Sequence, residues 1–190
     1  MALTDAQIER YSRQIIVPHL GGRGQERILA SRIVIGGEAR DIEAPLAYLV
    51  GAGVGTIGVR LADDKSRFDQ TIAEMRQLNS DVTVSIFDKS FEKIDLALLV
   101  IGSNAALKVA QEIASDVQAS VVARLDAPGR IAVIADASML GKFGARAGAA
   151  DFIAMLATAE AFKLVARYSE NPSRAIIEFD GYVTRSRALA

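Results

Sequence analysis

The sequence predicts an α/β protein in which a mostly parallel sheet carries helices on both faces, with an N-terminal helical arm and a C-terminal antiparallel hairpin. Three observations predict it. Short runs at Ile33-Val34-Ile35, Ile57-Gly58-Val59 and Leu96–Ile101 are apolar throughout, as strands buried on both faces are, and Val121–Leu125 is apolar except for Arg124. Segments with apolar residues at helical spacing lie between the runs, so strand and helix alternate through the first two-thirds of the chain. The tail holds two further runs, Ala175–Phe179 and Tyr182–Ser186, turned at Asp180-Gly181, a hairpin signal.

In chain order, Thr4-Asp5-Ala6-Gln7 is a capping box that opens a helix with Ile8, Tyr11 and Ile15 on one stripe. Pro18 and Gly21-Gly22 are expected to stop this helix, which displays Arg10 and Arg13, and a short helical piece, Gln25–Ala30, leads to the first strand. That strand ends in Gly36-Gly37. A segment faced by Ile42, Leu46, Leu49 and Val50 follows, and a second strand runs to Asp63-Asp64. This is the Rossmann-like order, in which a nucleotide phosphate would sit over the first turn at the helix N-terminus. Arg67–Asn79 then places Phe68, Ile72, Met75 and Leu78 on a core-facing stripe. Strands are expected at Val82–Phe87 and Leu96–Ile101, a helix from Ala105 to about Val117, and strands at Val121–Leu125 and Ile131–Ile134 around the turn Ala127-Pro128-Gly129-Arg130. Asp136–Gly148 is a Gly/Ala-rich loop. The helix Asp151–Arg167 turns Ile153, Leu156, Ala157, Glu160, Ala161 and Leu164 to one face, suited to close packing on another helix. The chain reads as one domain over 1–190, with an arm (1–30), an α/β core (31–134), a short crossover loop (135–150) and a closing helix and hairpin (151–190).

Composition excludes several classes. With 51% hydrophobic residues, 24% charged residues and a net charge of −1, nothing calls for nucleic acid or an anionic membrane. The apolar runs are far shorter than a bilayer span and Met1–Gln7 is no leader, so a soluble, cytoplasmic protein is expected. The absence of cysteine removes disulfides, thiolate zinc sites and a cysteine nucleophile together. His19, the lone histidine, is expected at the surface beside Pro18.

A phosphate-cradling turn needs glycines, because only a chain without Cβ lets backbone N–H groups close on the oxygens. After Gly37 the turn reads Glu38-Ala39-Arg40-Asp41-Ile42 and sets two carboxylates where an anion would bind. Their repulsion is on the order of a few kcal/mol at intermediate dielectric. Gly53-Val54-Gly55-Thr56-Ile57-Gly58 matches G-x-G-x-x-G but follows a helix and enters a strand, so it reads as a helix C-cap and tight turn.

Arg10-Tyr11-Ser12-Arg13-Gln14-Ile15-Ile16, Gly24-Gln25-Glu26, Ser31-Arg32-Ile33-Val34-Ile35, Tyr48-Leu49 and Ala52-Gly53-Val54-Gly55 together resemble the ThiF/MoeB family, bacterial relatives of the ubiquitin-activating enzymes. Weaker likeness runs through Leu78-Asn79, Asp95-Leu96 and Asp151–Lys163. The resemblance implies a Rossmann-like fold and adenylation of the C-terminal glycine of a ubiquitin-like protein with ATP and magnesium. It also shows what is missing. Of the phosphate-loop glycines only Gly37 survives; the ribose-binding acid falls on Leu61; Asp63 matches a second acidic position; the polar SNLxRQ segment is absent after Asp64. The phosphate-touching lysine falls on or near Arg67, the magnesium-binding aspartate has become Gly102 or Ser103, and no crossover cysteine exists. The resemblance therefore implies a shell of the fold without its reaction: vestigial nucleotide residues Gly37, Asp63 and Arg67, no catalytic residue, no metal site and no cofactor.

Active family members are dimers in which an arginine of one N-terminal helix reaches the nucleotide of the other subunit. The expectation is a non-catalytic pseudo-subunit that forms a homodimer, or a heterodimer with a catalytic ThiF/MoeB-like partner, and offers Arg10 and Arg13 in trans. A ubiquitin-like sulfur-carrier protein is a further partner that the resemblance implies. Two alternatives are a homodimeric binding or scaffold protein, and an active adenylyltransferase with an atypical ATP site. Leu61 and the Glu38–Asp41 turn oppose a dinucleotide oxidoreductase.

Overall fold

A computed structural model describes residues 2–63, 68–88, 91, 93–117, 119–125, 129–134, 150–168, 175–179 and 184–188. The elements are α1 (Asp5–Arg10), α2 (Ser12–Ile15), α3 (Gly21–Ala30), β1 (Arg32–Gly37), α4 (Ala39–Ala52), β2 (Thr56–Leu61), α5 (Phe68–Leu78), β3 (Thr83–Ile86) and β4 (Leu96–Ile101), followed by α6 (Asn104–Ala114), β5 (Ser120–Arg124), β6 (Gly129–Ile134), α7 (Ala150–Ala166), β7 (Ala175–Phe179) and β8 (Thr184–Ala188). They build one eight-stranded sheet in the order β3-β2-β1-β4-β5-β6-β7-β8. β3, β2, β1, β4 and β5 run parallel; β6, β7 and β8 add antiparallel strands beyond them.

Side chains alternate across the parallel strands and feed two cores. Ile33, Ile35, Ile57, Val59, Leu98 and Val100 pack with α4, α5 and α7, whereas Val34, Leu99, Ile101 and Val122 pack with α6 on the other face. The central strand β4 is wholly apolar and buried along its length because it is covered on both faces. The strand order reverses between β1 and β4, so the crevice outside their C-terminal ends is the place where open α/β sheets bind ligands.

The capping box forms as predicted, with Thr4 and Gln7 exchanging backbone-to-side-chain hydrogen bonds of 3.1 and 3.2 Å. The arm is not one helix, however. It breaks at Tyr11 (φ −100°, ψ 14°), whose ring is buried while Ile8 of the same predicted stripe is 48% exposed. Gly21-Gly22 do not end a helix but begin α3, because the reversal is made one step earlier, by His19 at φ 69°, and then by Gly21 at φ 59°. His19 lies at the surface, edge-on to Tyr168. Leu78, read as core, is 53% exposed, since α5 buries only Phe68 and Ile72. The buried face of α7 is Ile153, Ala154, Ala157, Thr158 and Ala161, whose small side chains let it close on α4 and α3, and Leu156, Glu160 and Leu164 lie at its margin.

The G-x-G-x-x-G string is structural. Gly53 ends α4 in the left-handed region (φ 86°), and a Cβ there would meet the Tyr11 ring at 2.7 Å. A Cβ on Gly55 would fall 1.8 Å from the Leu29 carbonyl oxygen, and one on Gly58 3.0 Å from the Phe91 ring. Among the described residues, no helix is long and apolar enough to cross a membrane.

Candidate functional site

The crevice at the ends of β1 and β4 is closed by packing and by charge. Gly37 is set against α4 and β4, where an added Cβ would lie 2.7 Å from both Ile42 Cγ2 and the Val100 carbonyl oxygen. Its missing side chain lets helix and strand close on each other. Glu38 is the N-cap of α4 but gives no side-chain cap. The backbone N–H of Ala39, the first of the helix, donates instead to Asp63 Oδ1 at 3.0 Å. A helix N-terminus binds anions because its first N–H groups have no partner; here a carboxylate of the chain itself takes that position. Leu61, at the end of β2, is buried in the main core and offers no acceptor for ribose hydroxyls.

Arg40 is exposed and tied to both neighbouring acids, to Glu38 Oε2 at 2.9 Å and to Asp41 Oδ1 at 3.6 Å. The Asp41 side chain is only 10% exposed, and its Oδ2 has no hydrogen-bond partner. This oxygen lies against Gly102, at which a Cβ would come within 2.6 Å of it. Burial raises the Asp41 carboxyl above the usual carboxylate range; Arg40 opposes this, and Glu38, Asp151 and Asp63 add to it. Burial prevails because Arg40, with 77% of its side chain in solvent, is a screened counter-charge. A carboxyl whose folded pKa lies above its unfolded value adds stability at acid pH and loses it as the pH rises through the folded pKa. Asp41→Asn is therefore expected to raise stability at neutral pH. The gain should shrink as the pH falls toward the ordinary value of 3.8, which urea titrations across that range would measure.

Among the described residues, a nucleotide triphosphate placed here would face Glu38, Asp41, Asp63 and Asp151, with Arg40 already ion-paired. The charge of these described residues repels that of ATP. Gly102 and Ser103, where the resemblance expects a metal-binding aspartate, supply no carboxylate; Ser103 caps α6 through the N–H of Ala106 (3.1 Å). No group of three or more His, Asp or Glu residues is placed to hold a metal among the described residues. Arg67 and the loop at 135–149 lie outside the described residues.

The structure separates the two candidate arginines. Arg10 is held by its own chain, with Nε 3.3 Å from Asp81 Oδ2 and its guanidinium donating to Asn79 Oδ1 and Ser80 Oγ. Beside it, Asn79 Nδ2 donates to the Tyr11 hydroxyl (2.9 Å) and to the Val50 carbonyl (2.8 Å), while the Tyr11 hydroxyl donates to Asp81 (3.0 Å). This latch fixes the arm to the C-terminal end of α4, and the buried Gln25, donating to the Ala52 carbonyl, fixes α3 there too. Arg13 points elsewhere. It borders a groove of about 650 Å³ with Val17, Tyr48, Gly51, Phe162 and Tyr168, and it has no ion pair or hydrogen bond among the described residues. The sequence reading missed both the latch and the burial of Asp41. The only signal for the latch was the joint presence of Arg10-Tyr11 and Leu78-Asn79 among the family-like residues, and for Asp41 there was none.

No protein-family model matches the chain. Over 59 residues it is 48% identical to a Mycobacterium tuberculosis protein named probable adenylyltransferase/sulfurtransferase MoeZ, a match covering 30% of this chain and 15% of that protein. Over 58 residues it is 48% identical to adenylyltransferase and sulfurtransferase uba4 of Pyricularia oryzae (30% and 12% covered). Over 60 residues it is 45% identical to a sulfur carrier protein adenylyltransferase of Thermus thermophilus (31% and 22%). The chain thus matches less than a quarter of the length of each relative. Among solved structures, Escherichia coli MccB with ATP superposes at TM-score 0.69 with 15% identity, over 95% of this chain and 71% of that one. PaaA superposes at 0.66 with 15% identity, over 99% and 84%.

Proposed function

From a chain that carries the ThiF/MoeB-type activating-enzyme fold, we propose a non-catalytic subunit that acts by pairing with a catalytic chain of the same fold in the adenylation of a ubiquitin-like sulfur carrier. The observation that carries this reading is the Asp63 carboxylate on the Ala39 N–H. The donor that would meet phosphate is already used, within a cluster of four acids. The latched arm presents Arg13 outward, available to a partner's nucleotide, while Arg10 serves the latch. Neither a metal nor a nucleotide is needed by this chain for that role.

Calorimetry of the full chain with ATP and magnesium is expected to give no binding heat up to millimolar nucleotide, and no shift in melting temperature. A micromolar Kd would overturn the proposal. One observation favours a second reading: the matched relatives are adenylyltransferases, so an active enzyme with an atypical ATP site follows if the chain alone catalyses pyrophosphate exchange in the presence of a sulfur carrier.

A further inference from the structure

We propose that the end of the sheet opposite the crevice carries a binding site for a free α-amino acid with an apolar side chain. The inference goes beyond the pairing reading and needs no partner chain. A pocket of about 440 Å³ opens where α3 and α7 end beside the starts of β1 and β4, and its lining includes Arg27, Ser31, Asp95, Leu164, Val165 and Arg167. Small-ligand sites of about 300–1,000 Å³ pair an apolar wall with a few placed polar groups, and here those groups divide by chemistry. Arg167 belongs to the donor side. It follows the end of α7 in the left-handed region, at φ 50°, a place that glycine or asparagine ordinarily fills. Its N–H donates to the Leu164 carbonyl at 3.1 Å, so the turn is closed by backbone alone. Its guanidinium has no hydrogen bond or ion pair among the described residues. A strained backbone thus holds a side chain for which the described fold has no use. Arg27 lines the same pocket, with Nη1 donating to the Ala166 carbonyl at 3.3 Å.

The other side can only accept. Ser31 is buried and uses its hydroxyl proton on the Ile28 carbonyl at 2.6 Å, which leaves its Oγ as an acceptor. Asp95 takes the Arg32 N–H on Oδ2 at 2.8 Å, and its other oxygen has no partner among the described residues. The C-terminal ends of α3 and α7, which favour cations, meet at the same place. A ligand that satisfies both sides carries a carboxylate for the arginines and an ammonium for Asp95 and Ser31. One small pocket that holds both sides calls for the two groups on one carbon, as in an α-amino acid. Leu164 and Val165 then cover its apolar side chain. A phosphate would face the Asp95 carboxylate, and a plain amine would leave two guanidinium groups unmet.

Calorimetry and ligand-observed NMR on the full chain with L-leucine test this. L-leucine is expected to bind. N-acetyl-L-leucine, which lacks the ammonium, and L-leucinamide, which lacks the carboxylate, are each expected to bind about 10-fold more weakly or worse. Arg167→Gly is expected to abolish leucine binding while melting no lower than wild type, because glycine adopts φ 50° without strain. Asp95→Asn keeps an oxygen for the Arg32 N–H and is expected to weaken leucine binding by about 10-fold. Three results overturn the proposal: no leucine binding at millimolar concentration, equal binding of leucine and its two derivatives, or leucine binding that survives Arg167→Gly. Phosphate or acetate bound as tightly as leucine overturns it as well, since the pocket would then be a simple anion site. None of these measurements involves nucleotide or a second subunit, so this proposal and the pairing reading fail separately.

Discussion

Tyr11→Ala is expected to lower the unfolding free energy by about 4 kcal/mol, the range for deleting a buried aromatic ring. Tyr11 is 1% exposed and is the anchor of the arm, since α1 and α2 bury no residue of their own. Truncation opens a cavity against Gly53 and takes one partner each from Asn79 and Asp81. Denaturant unfolding measures the loss, and limited proteolysis should find the arm cut ahead of the rest of the domain. A loss under about 1 kcal/mol would mean that the latch does not hold the arm. Tyr11→Phe keeps the ring and should cost about 1 kcal/mol, the net worth of a hydrogen bond. The variant also isolates an alkaline effect. Burial pushes the Tyr11 phenol from 10.0 up to about 12. The folded chain keeps this proton where the unfolded chain has lost it, so the tyrosine's contribution is complete below pH 10.0 and falls away toward pH 12. Wild type should lose stability over that window relative to Tyr11→Phe.

In a reconstituted pair with a catalytic ThiF/MoeB-like subunit, Arg13→Ala is expected to slow pyrophosphate exchange by about 100-fold or more, as removal of a phosphate-directed arginine does. Arg10→Ala should leave the rate within about threefold and instead cost about 1 kcal/mol of stability, because its ion pair with Asp81 is partly exposed. The contrast is the informative part. Two arginines one helical turn apart in the sequence are read as equivalent, yet among the described residues one is satisfied within its own chain and the other is not. Equal effects of the two substitutions on rate would refute this division.

The strands β1, β2 and β4 were legible because strands covered on both faces leave short apolar runs, and α4 because its stripe has helical spacing. The break at Tyr11 was not legible: a helical stripe predicts burial of Ile8 and Tyr11 alike, and only the distant Asn79 and Asp81 select Tyr11. The reversal at His19 was hidden because positive φ was looked for at glycine. In the crevice, the lack of further glycines in the turn after Gly37 and the apolar Leu61 at the end of β2 could be read residue by residue. The capping of α4 by Asp63 could not, since it joins the end of β2 to the turn after β1, a relation that exists only once the sheet is paired. Of the closing strand expected at Tyr182–Ser186, the described part, β8, is Thr184–Ala188, and Tyr182 and Val183 lie outside the described residues.

The fit of Asp41 over Gly102 leaves no room for a second carboxylate. An aspartate introduced at position 102 would collide with Asp41 and add a like charge beside a carboxylate that is already desolvated. A carboxylate can therefore enter position 102 only once Asp41 has been replaced, so the crevice accommodates an acid at one of the two positions and not at both.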